Sequence, residues 1–122
     1  MGINVRDGPA LWKEGRMAWI MLTIAGLLEV VWAFTMKQSQ GFTRLWPTIL
    51  TFITMFASFG LLSISMRTLP LGTAYTIWTG IGAVGAFLVG IMVLGEQVSA
   101  MRLVAAALIV SGIVLMKLST SN

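Results

Sequence analysis

Cysteine and histidine are both absent from this chain of 122 residues. Their absence excludes disulfides, thiolate metal sites, cysteine nucleophiles and every mechanism that depends on an imidazole, so no metal or cofactor is implied. Charged residues are also scarce, at 10% of the chain, whereas 57% is hydrophobic. A soluble domain carries about 25% charged residues, because charge covers its surface. The composition therefore predicts a protein whose surface faces lipid.

The formal net charge of +4 does not indicate a nucleic-acid partner. The basic residues of the hydrophobic part stand singly at the ends of apolar runs, as Arg44, Arg67, Arg102 and Lys117 do. Single cations at such positions are typical of membrane boundaries, whereas nucleic-acid binding requires a basic cluster. We therefore expect no nucleic acid and expect a lipid bilayer instead.

Four apolar runs, each near the roughly 20 residues that cross a bilayer core, predict four transmembrane helices. They cover approximately residues 19–36, 46–66, 73–94 and 100–118. The connecting segments are short, so neighbouring helices should run antiparallel, with both termini on one side. The expected fold is an all-α membrane protein built as a four-helix bundle.

Residues 1–16 differ in character, being polar and containing three glycines and a proline. The run that follows is long, contains a glutamate and ends without a small-residue cleavage site, so we do not expect a cleaved signal peptide. We expect either a disordered tail or a start assigned upstream of the true one at Met17. The membrane domain would then occupy residues 17–122.

Glu29 lies near the middle of the first run and is the one acidic residue within the four runs. An ionisable group at that depth is costly and indicates function. The structural alternative is a protonated glutamate bonded between helices, a role that a glutamine would serve as well. A desolvated carboxylate can hold a proton or a cation but not both readily, which is sufficient chemistry for exchange. Glu96 falls in the last loop and should be solvated.

Aromatic and hydroxyl side chains are expected around Glu29. Trp32 follows it at i+3 on the same helix face, and Tyr75 and Trp78 are likewise three residues apart on the third run. Trp and Tyr commonly form interfacial belts, but Trp32 and Trp78 lie away from the run ends and are expected to line a site, where ring faces hold cations. Ser58 would either bond near the carboxylate or satisfy its own i−4 carbonyl.

Small residues on the last two runs predict movement and pairing. Gly80 and Gly82 predict a kink in the third helix, at which one half would move against the other. Ala105 and Gly112 give the fourth helix a small-residue face suited to contact with another helix.

Four helices are too few to enclose a site that opens alternately to the two sides of a membrane, and the chain contains no inverted repeat. Counting from Met17, two cations lie on the terminal side and three on the opposite side, so the positive-inside preference is weak. Two copies inserted in opposite orientations would supply the missing symmetry and bring two Glu29 carboxylates to a shared centre.

The stretches AGLLEVVWAFTMK, GFTRLWPT, LPLGTAYTIWTGIGAVGA and LGE resemble the small multidrug resistance family, most closely its guanidinium-exporting branch. The resemblance covers Met17 to about Thr120, and it implies an antiparallel, dual-topology homodimer in the bacterial inner membrane that exchanges guanidinium for protons. Glu29 is implied as the shared carboxylate. The other implied roles are binding by Trp32, Ser58, Tyr75 and Trp78, a kink at Gly80 and Gly82, and dimer contact through the fourth helix.

Two departures from the family pattern concern the residue after Lys37, which is Gln38 where relatives often carry tyrosine, and the segment before Met17. Alternatives to guanidinium export are a broader efflux pump for quaternary ammonium cations and a membrane assembly subunit without transport. An enzyme is not expected, because the apolar interior offers one carboxylate and no second acid, base or metal ligand.

Overall fold

The computed structural model describes residues 8–120, with side chains from residue 15 onward, and contains four α-helices within that part. They are α1 (Gly8–Gln38), α2 (Leu45–Ser65), α3 (Leu71–Met92) and α4 (Ala100–Ser119). Each is long and apolar enough to cross a membrane, so the four predicted runs are confirmed. The last three helices begin and end within two residues of the predicted bounds.

The start of α1 differs from the expectation, because the helix continues back to Gly8 through part of the segment predicted to be a tail. Pro9 stands in the first turn, where its missing N–H is not needed, and the Leu, Lys and Glu residues that follow favour helix. Residues 1–7 of that predicted tail lie outside the described part of the chain.

The loops are short and held by their own backbone. Between α1 and α2, the Ser39 hydroxyl donates to the Met36 carbonyl at 2.6 Å and accepts from the Phe42 N–H at 3.0 Å. Gly41 in this loop has a φ of 73°, a left-handed conformation that suits glycine. At the start of α4, the Ser99 hydroxyl caps the helix by accepting from the Arg102 N–H at 3.1 Å.

Contacts between helices give their directions. The Thr35 and Thr51 hydroxyls meet at 2.8 Å, which joins the end of α1 to the start of α2, as in an antiparallel pair. The Thr73 and Thr120 hydroxyls, 3.1 Å apart, join the start of α3 to the end of α4 in the same way. The short connections therefore produce the predicted up-and-down arrangement.

The core is small and lies among α1, α2 and α3. Its buried hydrophobic members include Leu22, Ala25, Ile77 and Trp78, whereas α4 has no buried residue and contacts α3 alone among the helices at backbone level. Large apolar side chains cover the outside instead, as a lipid-facing surface requires. On α4, Met101 is 83% exposed and Leu108 is 68% exposed, so most of this helix has no partner within the described chain.

Candidate functional site

The Glu29 carboxylate lies where α1 crosses α3, directly against Gly82. A Cβ added to Gly82 would overlap the end of the Glu29 side chain, and a Cβ added to Gly85 would overlap Val30. These paired contacts advance together along both helices, so α1 and α3 run parallel at the crossing. Gly82 therefore provides, by lacking a side chain, the space that the carboxylate occupies.

Two buried side-chain atoms in the described part of the chain make no hydrogen bond: Oε1 of Glu29 and Nε1 of Trp32. The other buried polar side chains, such as Thr51 and Ser65, have partners. An unpaired polar group inside a membrane costs several kcal/mol, so it is rarely left without a purpose. One open acceptor and one open donor, one helical turn apart, mark the place where a polar ligand or a further polar group would fit.

Ser58 connects three helices beside this place. Its buried hydroxyl donates to the Ala25 carbonyl at 2.6 Å and accepts from the Trp78 indole N–H at 3.0 Å. Ala25 lies one turn before Glu29, so its carbonyl is also the helical acceptor of the Glu29 N–H. Ser58 thus bonds across to α1 rather than to its own i−4 carbonyl, and it holds the backbone that carries Glu29 without forming a hydrogen bond to the carboxylate.

Four aromatic rings contact one another in a row that starts at Trp32. Trp32 meets Phe59 edge to face with centroids 6.2 Å apart, Phe59 lies 5.7 Å from Trp78, and Trp78 lies 5.5 Å from Tyr75. Trp78 is buried, whereas Tyr75 is 53% exposed and opens the set toward the surface. The rings therefore form an unbroken row of edge-to-face and tilted contacts that leads from the unpaired indole outward. Aromatic ring faces attract cations.

A family model described as Small Multidrug Resistance protein matches residues 17–109. The chain belongs to this family. Guanidinium exporters of Citrobacter freundii and Salmonella typhimurium are each 60% identical to it over 104 residues, which is 85% of this chain and 99% of theirs. The guanidinium exporter of Escherichia coli strain K12 is 57% identical over the same share of both chains.

These findings confirm the predicted resemblance, both to the family and to its guanidinium-exporting relatives. Together with four helices able to span a membrane, they make this small multidrug resistance protein a multi-pass membrane protein. The relatives are named as exporters and not as enzymes.

The structure links Ser58, Trp78 and Tyr75 by a hydrogen bond and a ring contact, and it links Trp32 to them through Phe59. It places Glu29 against Gly82, one helical turn after Trp78 on α3. Phe59, which links Trp32 to Trp78, was not predicted from the sequence. It lies on an apolar run without a distinguishing spacing, and its neighbour Ser58 was the one available signal.

The two glycines of the predicted kink face different helices. A Cβ added to Gly80 would come within 2.8 Å of Ile113 on α4, whereas one added to Gly82 would meet Glu29 on α1. Helix α3 is continuous through both, from Leu71 to Met92, and the kink stays a prediction. Ala105 and Gly112 are exposed on α4, with no atom within 4 Å of a Cβ added at Gly112, so their pairing role also stays a prediction.

Proposed function

We propose that this chain exports guanidinium ion by exchanging it for protons across the bacterial inner membrane. Relatives 57–60% identical over nearly their whole length are named guanidinium exporters, and the three named above come from bacteria. The observation that carries the proposal is the buried, unpartnered Oε1 of Glu29, the sole carboxylate inside the spanning helices.

The chemistry of the site suits a small planar cation. A carboxylate accepts paired N–H donors from guanidinium in bidentate fashion, and this charge-assisted geometry is stronger than a neutral hydrogen bond. Trp32 follows Glu29 by one helical turn and Trp78 precedes Gly82 by one turn, so both rings stand on the helices that hold the carboxylate. The Trp32 N–H is free to donate to an ionised Glu29, and the ring faces attract a cation. The close α1–α3 crossing at Gly82 favours a small guest over a bulky one.

Coupling follows from competition at one group. An ionised, empty Glu29 carries negative charge that is unfavourable inside hydrocarbon, so movement of the empty site between the two sides of the membrane is disfavoured. Either a proton or guanidinium neutralises the carboxylate and permits the movement. Because only one of them occupies the site at a time, an inward proton gradient drives guanidinium outward.

Two chains in opposite orientations would complete the site as an antiparallel, dual-topology homodimer. Within the described chain, α4 is almost wholly exposed and offers Ala105 and Gly112 to a second α4. Two copies would bring two Glu29 carboxylates to a common centre, and flexing of α3 at Gly80 and Gly82 would alternate the opening between sides. This symmetry replaces the inverted repeats that larger secondary transporters carry within one chain.

Reconstituted transport tests the proposal. Proteoliposomes with the wild-type chain should take up guanidinium and release protons in linked amounts, and Glu29→Gln should abolish both the substrate binding and the proton movement. Glu14→Gln is the control: it removes a carboxylate that precedes the matched residues 17–109, and this variant should transport guanidinium as the wild type does. Exchange by Glu29→Gln against a pH gradient would refute the single-carboxylate mechanism. Transport of a bulky aromatic cation at a rate equal to that of guanidinium would favour the broader efflux pump.

A further inference from the structure

A groove of about 320 Å³ lies between α1 and α3, separate from the aromatic set. It begins beside the Glu29–Gly82 contact, because Val30 and Ala83, the next residues on the two helices, line it. It ends at Lys37 and Glu96, its two charged lining residues, where α1 finishes and the α3–α4 loop begins. From Val30 to Lys37 the helix rises about 10 Å, so the groove connects the depth of Glu29 with the membrane surface.

Glu96 is held at the mouth of this groove in a specific position. Its backbone N–H donates to the Gly90 carbonyl at 3.0 Å, and a Cβ added to Gly90 would overlap its carboxylate. The chain reaches this point through Gly95, whose φ of 68° favours glycine. The backbone hydrogen bond therefore positions the residue, and the bare Gly90 leaves room for its carboxylate against the last turn of α3.

That position is electrostatically unfavourable for an anion. The C-terminal end of a helix carries partial negative charge, so carboxylates are normally found at the opposite end. Within residues 15–120 Glu96 forms no ion pair, and the Arg102 guanidinium donates to the Gln97 carbonyl at 3.3 Å instead. Lys37 places one positive charge at the same mouth, opposite the Glu96 carboxylate. Because α1 and α3 run parallel, the C-terminal ends of both helices add partial negative charge there, so the balance is negative and attracts a cation.

We propose that Glu96 captures the exported cation at the mouth of the α1–α3 groove, which then conducts it to Glu29. This inference rests on the proposed function and adds a second, outer binding group to the same pathway. Small lining residues such as Ala33, Ala83 and Ala86 leave room for a planar ion. Because Glu96 is exposed to solvent, capture is weak and sensitive to salt, so the ion is concentrated near the groove without being trapped.

A thiol in the groove measures this potential without any transport. The chain contains no cysteine, so Ala86→Cys introduces a single reactive group one helical turn before Gly90. At low salt, a cationic methanethiosulfonate should modify it about threefold to tenfold faster than an anionic one, relative to a small free thiol. Adding Glu96→Gln should remove this preference. Thr68→Cys, in the exposed α2–α3 loop, should show the same reagent ratio with and without Glu96→Gln.

Transport provides the second readout. Glu96→Gln should raise the apparent KM for guanidinium about threefold to tenfold at low salt, with the maximal rate unchanged and the difference shrinking at high salt. Gly90→Ala should raise KM in the same direction, because the added methyl displaces the carboxylate. Gly60→Ala, whose Cβ would meet no atom within 4 Å, is the matched control and should keep the wild-type KM.

The outcomes separate the two proposals. A wild-type chain that transports guanidinium, combined with an unchanged KM and no charge preference at the groove thiol after Glu96→Gln, would overturn the capture role and leave export standing. A wild-type chain that does not transport guanidinium would overturn the proposed export. The reagent preference at Ala86→Cys would still report whether Glu96 attracts cations into the groove.

Discussion

Replacing Gly82 with alanine should disable the site by displacing its carboxylate. The added Cβ would overlap the Oε1, Cδ and Cγ atoms of Glu29, which are the far end of a flexible side chain. The carboxylate should therefore move in preference to the backbone of α1. Overpacking of this kind costs about 1–3 kcal/mol. If most of that cost appears as a loss of binding free energy, guanidinium affinity should fall about fivefold to 150-fold.

The assay is calorimetric titration of guanidinium into the purified protein in detergent, alongside thermal unfolding of the same sample. Gly85→Ala is the informative comparison, because the three atoms nearest to its added Cβ all belong to Val30, on the same helix pair, and none belongs to Glu29. It should lower the unfolding temperature and leave affinity nearly intact, whereas Gly82→Ala should lower affinity more than stability. Gly60→Ala has open space and should change neither. Wild-type affinity in Gly82→Ala would refute the reasoning.

Three further changes test the same site. Ser58→Ala leaves the buried Trp78 indole N–H without its acceptor and should lower the free energy of unfolding by about 1 kcal/mol in thermal unfolding. Ser111 is exposed and bonds only to its own i−4 carbonyl, so Ser111→Ala should lower it little. Trp32→Phe removes the unpartnered N–H but keeps a ring, so unfolding temperature should hold while guanidinium transport slows. Guanidinium affinity measured by titration should weaken as pH falls, by up to about tenfold per pH unit, because protonation of Glu29 competes with the cation; affinity independent of pH would contradict competition.

Composition and run length were sufficient to predict the helices, because a helix that faces lipid must be apolar along most of its length. The start of α1 was not predicted, because hydropathy identifies the apolar membrane span and does not indicate a polar helix that continues beyond it. Gly8–Arg16 has ordinary helix formers after Pro9, and propensity alone rarely decides such a segment.

The site was predictable to the extent that its residues are chemically unusual for a membrane. Glu29 and Trp32 stood out for their depth, and the structure leaves both with an unpaired buried atom. The partner of Ser58 was not predictable, because i−4 back-bonding and a bond to another helix look the same in sequence. The separate orientations of Gly80 toward α4 and Gly82 toward Glu29 required the packing of α3 between two helices.

The arrangement of the four helices explains why so small a chain has one unpaired acid within its spanning helices and one helix without buried residues. Helices α1, α2 and α3 pack their small and hydroxyl residues against one another. The hydrogen bonds of Ser58 satisfy the Ala25 carbonyl and the Trp78 indole N–H, and Oε1 of Glu29 stays unpaired. Helix α4 contacts α3 through Ile113 at Gly80 and reaches α1 through Lys117, which lies over the Trp19 ring, but it has no buried residue. A second copy in the opposite orientation would cover that helix and set another Glu29 near the first. The two acids would then hold a single cation, or protons in its place, more readily than either could alone, because like charges at close range disfavour joint ionisation.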